Sequence, residues 1–275
     1  MKVLIKFFLL ASFLSITSYA TTKEVVVLVP GFFSHVTPEY FSKTIINSFT
    51  SKGMKVFIAN NLNPVGGIAE NGARLQNLLE KIETAESHPV SFNIVAHSAG
   101  GLYSLWVSSQ AKVKINKLIT ISTPFRGVEF VQSWIEKSFL FSTLADLAYL
   151  QGLQELTSVG VEQFLKTAKP AKTLQIFSFA GYQPQSLDVT DARCISAPLL
   201  VTSHYITGKS DGIVALTSAL GYQNSQKSND YIRLDHWEQI HDHRAFILLG
   251  TRNTQFIQQE QARFYAKLAD LILQK

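Results

Sequence analysis

"FNIVAHSAGGLYSLWV", residues 92–107, is the stretch whose reading decides the fold. An apolar run ending near His97 is followed within a few residues by a second, helix-like one, "GLYSLWVSSQ". A strand that turns this sharply into a helix needs small neighbours at the turn, because the two elements nearly touch there. Ala96, Ala99, Gly100 and Gly101 supply them around Ser98. Such a turn holds its central residue in a strained backbone conformation and lifts the hydroxyl above the sheet. The pattern is G-x-S-x-G with Ala96 at the first glycine. The competing reading, Ser98 as a helix N-cap, does not call for four small residues around it.

Outward from this turn, short apolar runs alternate with amphipathic ones. "EVVVLVPG" (24–31), "MKVFIAN" (54–60), "VSFNIVAH" (90–97), "INKLITIS" (115–122), "TLQIFSFAG" (173–181) and "YIRL" (231–234) read as strands. A helix is expected from Thr37-Pro38-Glu39 to about Lys52, with Thr37 as N-cap and Pro38 at the first helical position. Others are expected over 68–87, where Leu75, Leu78, Leu79 and Ile82 share a face, and at the C-terminus around Ile257, Phe264, Leu268 and Leu271. Strands alternating with helices predict an α/β protein, a mostly parallel central sheet flanked by helices. Residues 128–172 are helix-like, without a strand, and long for a crossover. They read as a small helical cap over the sheet, with ordinary crossover helices as the alternative.

The 275 residues are 46% hydrophobic and 16% charged, enough for one large domain with a sizeable core. Residues 1–20 carry Lys2 and Lys6, an apolar run from Phe7 to Leu14, and Ser18-Tyr19-Ala20 as a small-x-small cleavage site. This is the pattern of a signal peptide, so export is expected and the single domain would comprise 21–275. The alternative, an uncleaved anchor, fits less well because the run is shorter than the ~20 residues of a span. The net charge of +5 comes from scattered residues, and no nucleic-acid motif is present, so no nucleic-acid partner is expected. Cys194 is the only cysteine and is assigned no chemistry.

A serine nucleophile needs a base, and the base needs a carboxylate to orient it. In the order Ser, acid, His, the best acid after Ser98 is Asp211 in "ITGKSDGIV", beyond a strand-like "LLVTSHYI". The base is sought in "IRLDHWEQIHDH". His236, in the loop after "YIRL", is preferred as general base, and His241 and His243 read as surface residues. A zinc site is disfavoured, because residues five apart, such as His236 and His241, do not share a helix face. The oxyanion of an acyl-transfer reaction needs two amide donors. The Ala99 amide, next to the nucleophile, and the Phe32 amide, in the loop after the first strand, are the candidates.

These residues resemble the bacterial triacylglycerol lipases of the Pseudomonas and Burkholderia type, members of the α/β-hydrolase superfamily. The resemblance runs in chain order through "VLVPGF", "NIVAHSAGGL", "TISTPFRGVEF", "LQELTSVGVEQF", "IFSFAG", "GKSDGIVALTSA" and "LDHWEQIH". It implies Ser98, Asp211 and His236 as the catalytic triad and Phe32 and Ala99 as oxyanion donors, the same residues reached above. It implies acylglycerol substrates at a lipid–water surface, beneath a mobile lid at 128–172 that could present Trp134, Phe139 and Phe141 to lipid. It further implies a structural calcium near Asp191, Glu238 and Asp242, and a dedicated folding chaperone for some members. Three features depart from the family: Pro30 stands where its members have His, the Ser98–Asp211 interval is shorter than in larger members, and the calcium acids are only near the expected positions. A short-chain carboxylesterase or phospholipase is the alternative within the class. A non-catalytic binding protein of the same fold is the alternative outside it.

Overall fold

In the computed structural model the described residues are 24–34, 39–86, 90–131, 135, 151–183, 197–241 and 254–274. The leader at 1–20, Thr37, Pro38, Trp134, Phe139, Phe141, Asp191, Cys194, Asp242 and His243 lie outside them. The strands are β1 (Val25–Val29), β2 (Lys55–Ile58), β3 (Phe92–His97), β4 (Ile115–Ile121), β5 (Gln175–Phe179) and β6 (Gln226–Lys227). They form one sheet in the order β2-β1-β3-β4-β5-β6, with every pairing parallel. The helices are α1 (Lys43–Thr50), α2 (Ile68–Ala85), α3 (Gly100–Gln110), α4 (Ser158–Thr167), α5 (Ala197–Ser203), α6 (Leu216–Ala219) and α7 (Thr254–Leu273).

The sequence of β1 shows why both faces are covered. All five of its residues are apolar and buried, the mark of a parallel strand between two helical layers. Val25, Val27 and Val29 join a core with Leu75 and Leu79 of α2 and Leu102 and Leu105 of α3. Val26 and Leu28 face the other way, onto Ile45 and Phe49 of α1 and Phe264, Tyr265 and Leu268 of α7. Each such buried Val or Leu contributes about 1.5–3 kcal/mol.

Three expectations differ from the structure. Helix α1 starts at Lys43 with Ser42 as N-cap, its Oγ accepting the Ile45 amide at 3.3 Å. "LLVTSHYI" is helical at its start, α5, rather than a strand. There the Thr202 and Ser203 hydroxyls fold back onto the Leu199 and Leu200 carbonyls, and one side stays wet, with Val201 exposed. "YIRL" makes only an isolated bridge, Gly181 to Ile232, while the last strand is the short β6.

Within 128–172, α4 packs as a crossover helix would: Val161 is buried in the same core as α2 and α3. Val128, Val131 and Leu153 instead form a separate cluster with Ala180, Val214 and Ala219, beyond the strand ends. The Val128 amide donates to Leu156 O at 2.9 Å, tying the two described flanks of this stretch together.

Candidate active site

The strand order reverses between β1 and β3: the chain adds β2 on one side of β1, then builds outward on the other. Loops leaving the strand ends at such a switch diverge and open a crevice, where open α/β sheets hold their ligands. The loop after β1 carries Gly31 and Phe32, and the loop after β3 carries Ser98.

Ser98 has φ = +54°, outside the range favoured by L-residues. Its neighbours over-determine that strain. Its amide donates to Ile121 O at 2.9 Å, and its carbonyl accepts the Thr123 hydroxyl at 2.9 Å and the Gly101 amide at 3.1 Å. A Cβ at Gly100 would stand 2.6 Å from the carbonyl oxygens of Val29 and Pro30, and one at Gly31 would stand 2.6 Å from Ser98 Cβ. The small residues therefore serve close approach of β1 and α3. Ala96 is fully buried in the core, which accommodates its methyl group. Ser98 is not the helix cap: Ala99 takes that place and no side chain caps it. The first amides of a helix lack intrahelical acceptors, so Ala99 puts such a donor beside Ser98. Phe33 (φ = +62°) and Ser122 (φ = +50°) repeat the strain in the loops after β1 and β4. The Gly31 amide donates to Tyr40 Oη at 2.9 Å and the Phe33 amide to Pro64 O at 2.7 Å.

Asp211 is fully buried, in a turn where Gly212 adopts φ = +96°. Its Oδ1 accepts the Ile213 and Val214 amides at 3.0 and 2.8 Å. Its Oδ2 accepts His236 Nδ1 and Gln239 Nε2, both at 2.8 Å. The His236 amide also donates to Asp211 O at 2.9 Å, so backbone and side chain are held to the same residue. Burial alone would raise the Asp211 carboxyl. The His236 charge and hydrogen bond, with the Val214 amide and the Ser122 hydroxyl, overcome that and hold it at about 2. An ionised carboxylate only accepts, so Nδ1 of His236 carries the hydrogen and Nε2 is left as the basic nitrogen.

Ser98 and His236 line one cavity with Phe32, Pro124, Val131, Leu153 and Ile213, a mostly apolar wall. The structure thus brings Ser98, Asp211, His236, Ala99 and Phe32 to one end of the sheet. His241 differs from its surface reading: it is buried, its ring against those of Tyr40 and Trp237. Several neighbours were not singled out from the sequence: Tyr40, His97, Ser122, Thr123 and Gln239. Ser122 and Thr123 lie in "TISTPFRGVEF", a segment noted only for its resemblance. The other three meet through tertiary contacts that no local pattern announces.

Of the calcium acids, Glu238 alone is described. Its Oε2 accepts the Asp235 amide while Asp235 Oδ1 accepts the Trp237 and Glu238 amides, a reciprocal capping turn. Among the described residues no group of three acidic, His or Cys side chains is placed to hold a metal, and Asp191 and Asp242 lie outside those residues. Nor is any described helix long and apolar enough to cross a membrane.

The chain is similar to known serine esterases and lipases. Residues 20–192 match the family described as "Putative serine esterase (DUF676)", a span that includes Phe32 and Ser98 and ends before Asp211. A triacylglycerol lipase of Pseudarthrobacter phenanthrenivorans is 32% identical over 120 residues, covering 41% of this chain and 37% of that protein. One from Burkholderia plantarii is also 32% identical over 120 residues, covering 41% of this chain and 33% of that protein. The matched region thus spans about a third of the length of these relatives. The crystal structure of Staphylococcus hyicus lipase superposes with a TM-score of 0.63 at 14% identity, covering 92% of this chain and 96% of that one. The fold is that of the α/β-hydrolases, and the chain belongs to the DUF676 serine esterase family.

Proposed function

From this family membership we propose that the protein is an exported carboxylester hydrolase, most simply a lipase acting on acylglycerols. The observation that carries the reading is the Asp211–His236 pair at 2.8 Å, sharing an apolar cavity with a strained Ser98. Ser98 Oγ attacks the ester carbonyl carbon as His236 Nε2 takes its proton. The oxyanion is met by the Ala99 and Phe32 amides. The tetrahedral intermediate collapses, the C–O bond breaks, and His236 returns the proton to the leaving alcohol. Water then cleaves the acyl-enzyme by the same steps. Asp211 keeps the imidazole in the required tautomer throughout.

Among the described residues the cavity is walled mostly by Phe, Val, Leu and Ile side chains, with no Lys or Arg, which suits a neutral hydrocarbon acyl group. The leader at 1–20 directs export, to a periplasm or beyond the cell, and the stretch from about 128 to 172 supplies the lid. Asp191, Glu238 and Asp242 are the candidate ligands of a structural calcium, and no step of the reaction runs through a metal. A dedicated folding chaperone, which some proteins it resembles need, is a candidate partner.

Purified protein and Ser98→Ala are compared on p-nitrophenyl esters of graded acyl length and on a triacylglycerol emulsion. The wild type is expected to hydrolyse long-chain esters and the emulsion, and Ser98→Ala to lose at least about a thousandfold in kcat. Equal rates in the two proteins overturn the enzyme reading. Activity confined to short chains overturns the lipase reading and leaves the esterase.

A further inference from the structure

Among the described residues, Nε2 of His97 and Oε1 of Gln239, both buried beside the site, have no hydrogen-bond partner at contact distance. Buried polar atoms are rarely left so, and each unpaired one calls for an explanation. Their other ends are firmly engaged. His97 Nδ1 lies 3.0 Å from Tyr40 Oη, which also accepts the Gly31 amide at 2.9 Å. Gln239 Nε2 donates to Asp211 Oδ2 at 2.8 Å. The Gln239 side chain is the amide that acts on the His97 ring.

The chemistry of the two termini fixes the direction of every bond between them. An amide N–H can only donate, so Tyr40 Oη accepts from Gly31; among the described residues its own hydrogen has no acceptor other than His97 Nδ1, and goes there. Burial, with the charge of His236 next, holds the His97 pKa far below its ordinary value, so the ring is neutral. A neutral ring that accepts at Nδ1 carries its hydrogen at Nε2. At the far end the Asp211 carboxylate can only accept, so Gln239 turns its NH₂ to Asp211 and its oxygen toward His97. Donor and acceptor therefore match at the one open link.

We propose that Tyr40, His97 and Gln239 are positioning residues forming a one-way hydrogen-bonded relay. It runs from the Gly31 amide of the β1 loop to Asp211, with His97 Nε2–H closing onto Gln239 Oε1 directly or through one water. The relay rests on the hydrolase reading above. It locks the β1 loop, which carries the Phe32 amide, to the carboxylate that orients His236. Its middle member immediately precedes Ser98 on β3. Oxyanion donor, nucleophile and base are thereby held in one register, with the His97 ring also packed against that of His236, centroids 4.5 Å apart. Gly181 belongs to the same arrangement: a Cβ there would stand 2.0 Å from Gln239 Nε2.

The test is a double-mutant cycle with Tyr40→Phe and Gln239→Met, reading kcat and KM on one ester, the Ki of a trifluoromethyl ketone, and Tm. Each single variant is expected to lose about tenfold in kcat, with a matching rise in Ki and KM held within about twofold. Both cut one relay, so the double variant should lose about as much as either single, not their product. His97→Gln, which keeps a donor and an acceptor, should regain most of what His97→Leu loses. A multiplicative double variant, single variants at wild-type kcat, or no rescue by His97→Gln overturns the relay. A loss that follows Tm alone, with KM and Ki unmoved relative to each other, does so too. Ser98→Ala separates the two readings: if it keeps wild-type activity, the hydrolase reading itself fails. If it is inactive while the cycle is multiplicative, only the relay fails.

Discussion

At the scale of single residues, the site is built from close approaches that tolerate little added volume. Gly181 shows this best. A methyl group there would meet Gln239 Nε2 at 2.0 Å and Asp211 Cβ at 3.1 Å, and overpacking a filled site costs about 1–3 kcal/mol. Gly181→Ala is therefore expected to lower stability by that amount in urea unfolding and to reduce kcat. Adding Gln239→Ala should recover stability by removing the clashing amide, while kcat stays low; stability that falls further in the double variant would contradict the contact. Such a constraint is invisible in "IFSFAG", where Gly181 reads simply as the end of a strand. Ser98, Asp211 and His236 were legible because their types, order and loop contexts are demanded by the chemistry. Tyr40, His97 and Gln239 were not, since sequence separations such as the 57 residues between Tyr40 and His97 carry no local signal.

At the scale of elements, the long strands were legible for a physical reason: a parallel strand buried on both faces must be apolar through its centre, as β1 is throughout, β3 is at Ile94, Val95 and Ala96, and β4 is at Leu118 and Ile119. The edge was not. β6 is two exposed residues, Gln226 and Lys227, with no apolar pattern to read. α5 was read as a strand because its Leu-Leu-Val run is short enough to fit either state. The end of α7 holds another tertiary device. Lys117 on β4 is buried, and its Nζ donates to Leu271 O at 2.8 Å and Ile272 O at 3.0 Å, and also to Gln274 O. A cation at a helix C-terminus satisfies carbonyls that have no intrahelical donor and complements the helix dipole. Lys117→Met is expected to destabilise the fold by about 1–3 kcal/mol in urea unfolding, through carbonyls left without a donor. It should leave KM and Ser98 reactivity unchanged, because Lys117 lies toward the start of β4, at the opposite end of the strands from the Ser98 loop. Unchanged stability would mean that water replaces the ammonium at no cost.

At the scale of the whole molecule, the sheet places the Phe32 and Ser98 loops at the switch between β1 and β3, and the Asp211 carboxylate that the proposed mechanism uses is wholly buried. That burial links function to global stability. The folded Asp211 carboxyl sits at about 2 against an ordinary 3.8, because His236, the Val214 amide and the Ser122 hydroxyl outweigh desolvation. A folded-state pKa below the unfolded one gives stability that is fully present above about 4 and lost as the pH falls toward 2. The same sign holds for Glu260, where the hydrogen bond from Arg263 is the leading effect opposing burial and lowers the carboxyl. For Asp211 the contribution is of order 2 kcal/mol. Urea unfolding of wild type and Asp211→Asn, followed from pH 7 to pH 2, isolates it. The wild type should be the more stable above pH 5, and the gap between the two proteins should narrow steadily below pH 4 as the wild-type carboxylate takes up its proton. A gap that stays constant across that window would show that Asp211 holds no depressed charge in the folded protein, and that His236 is oriented without it.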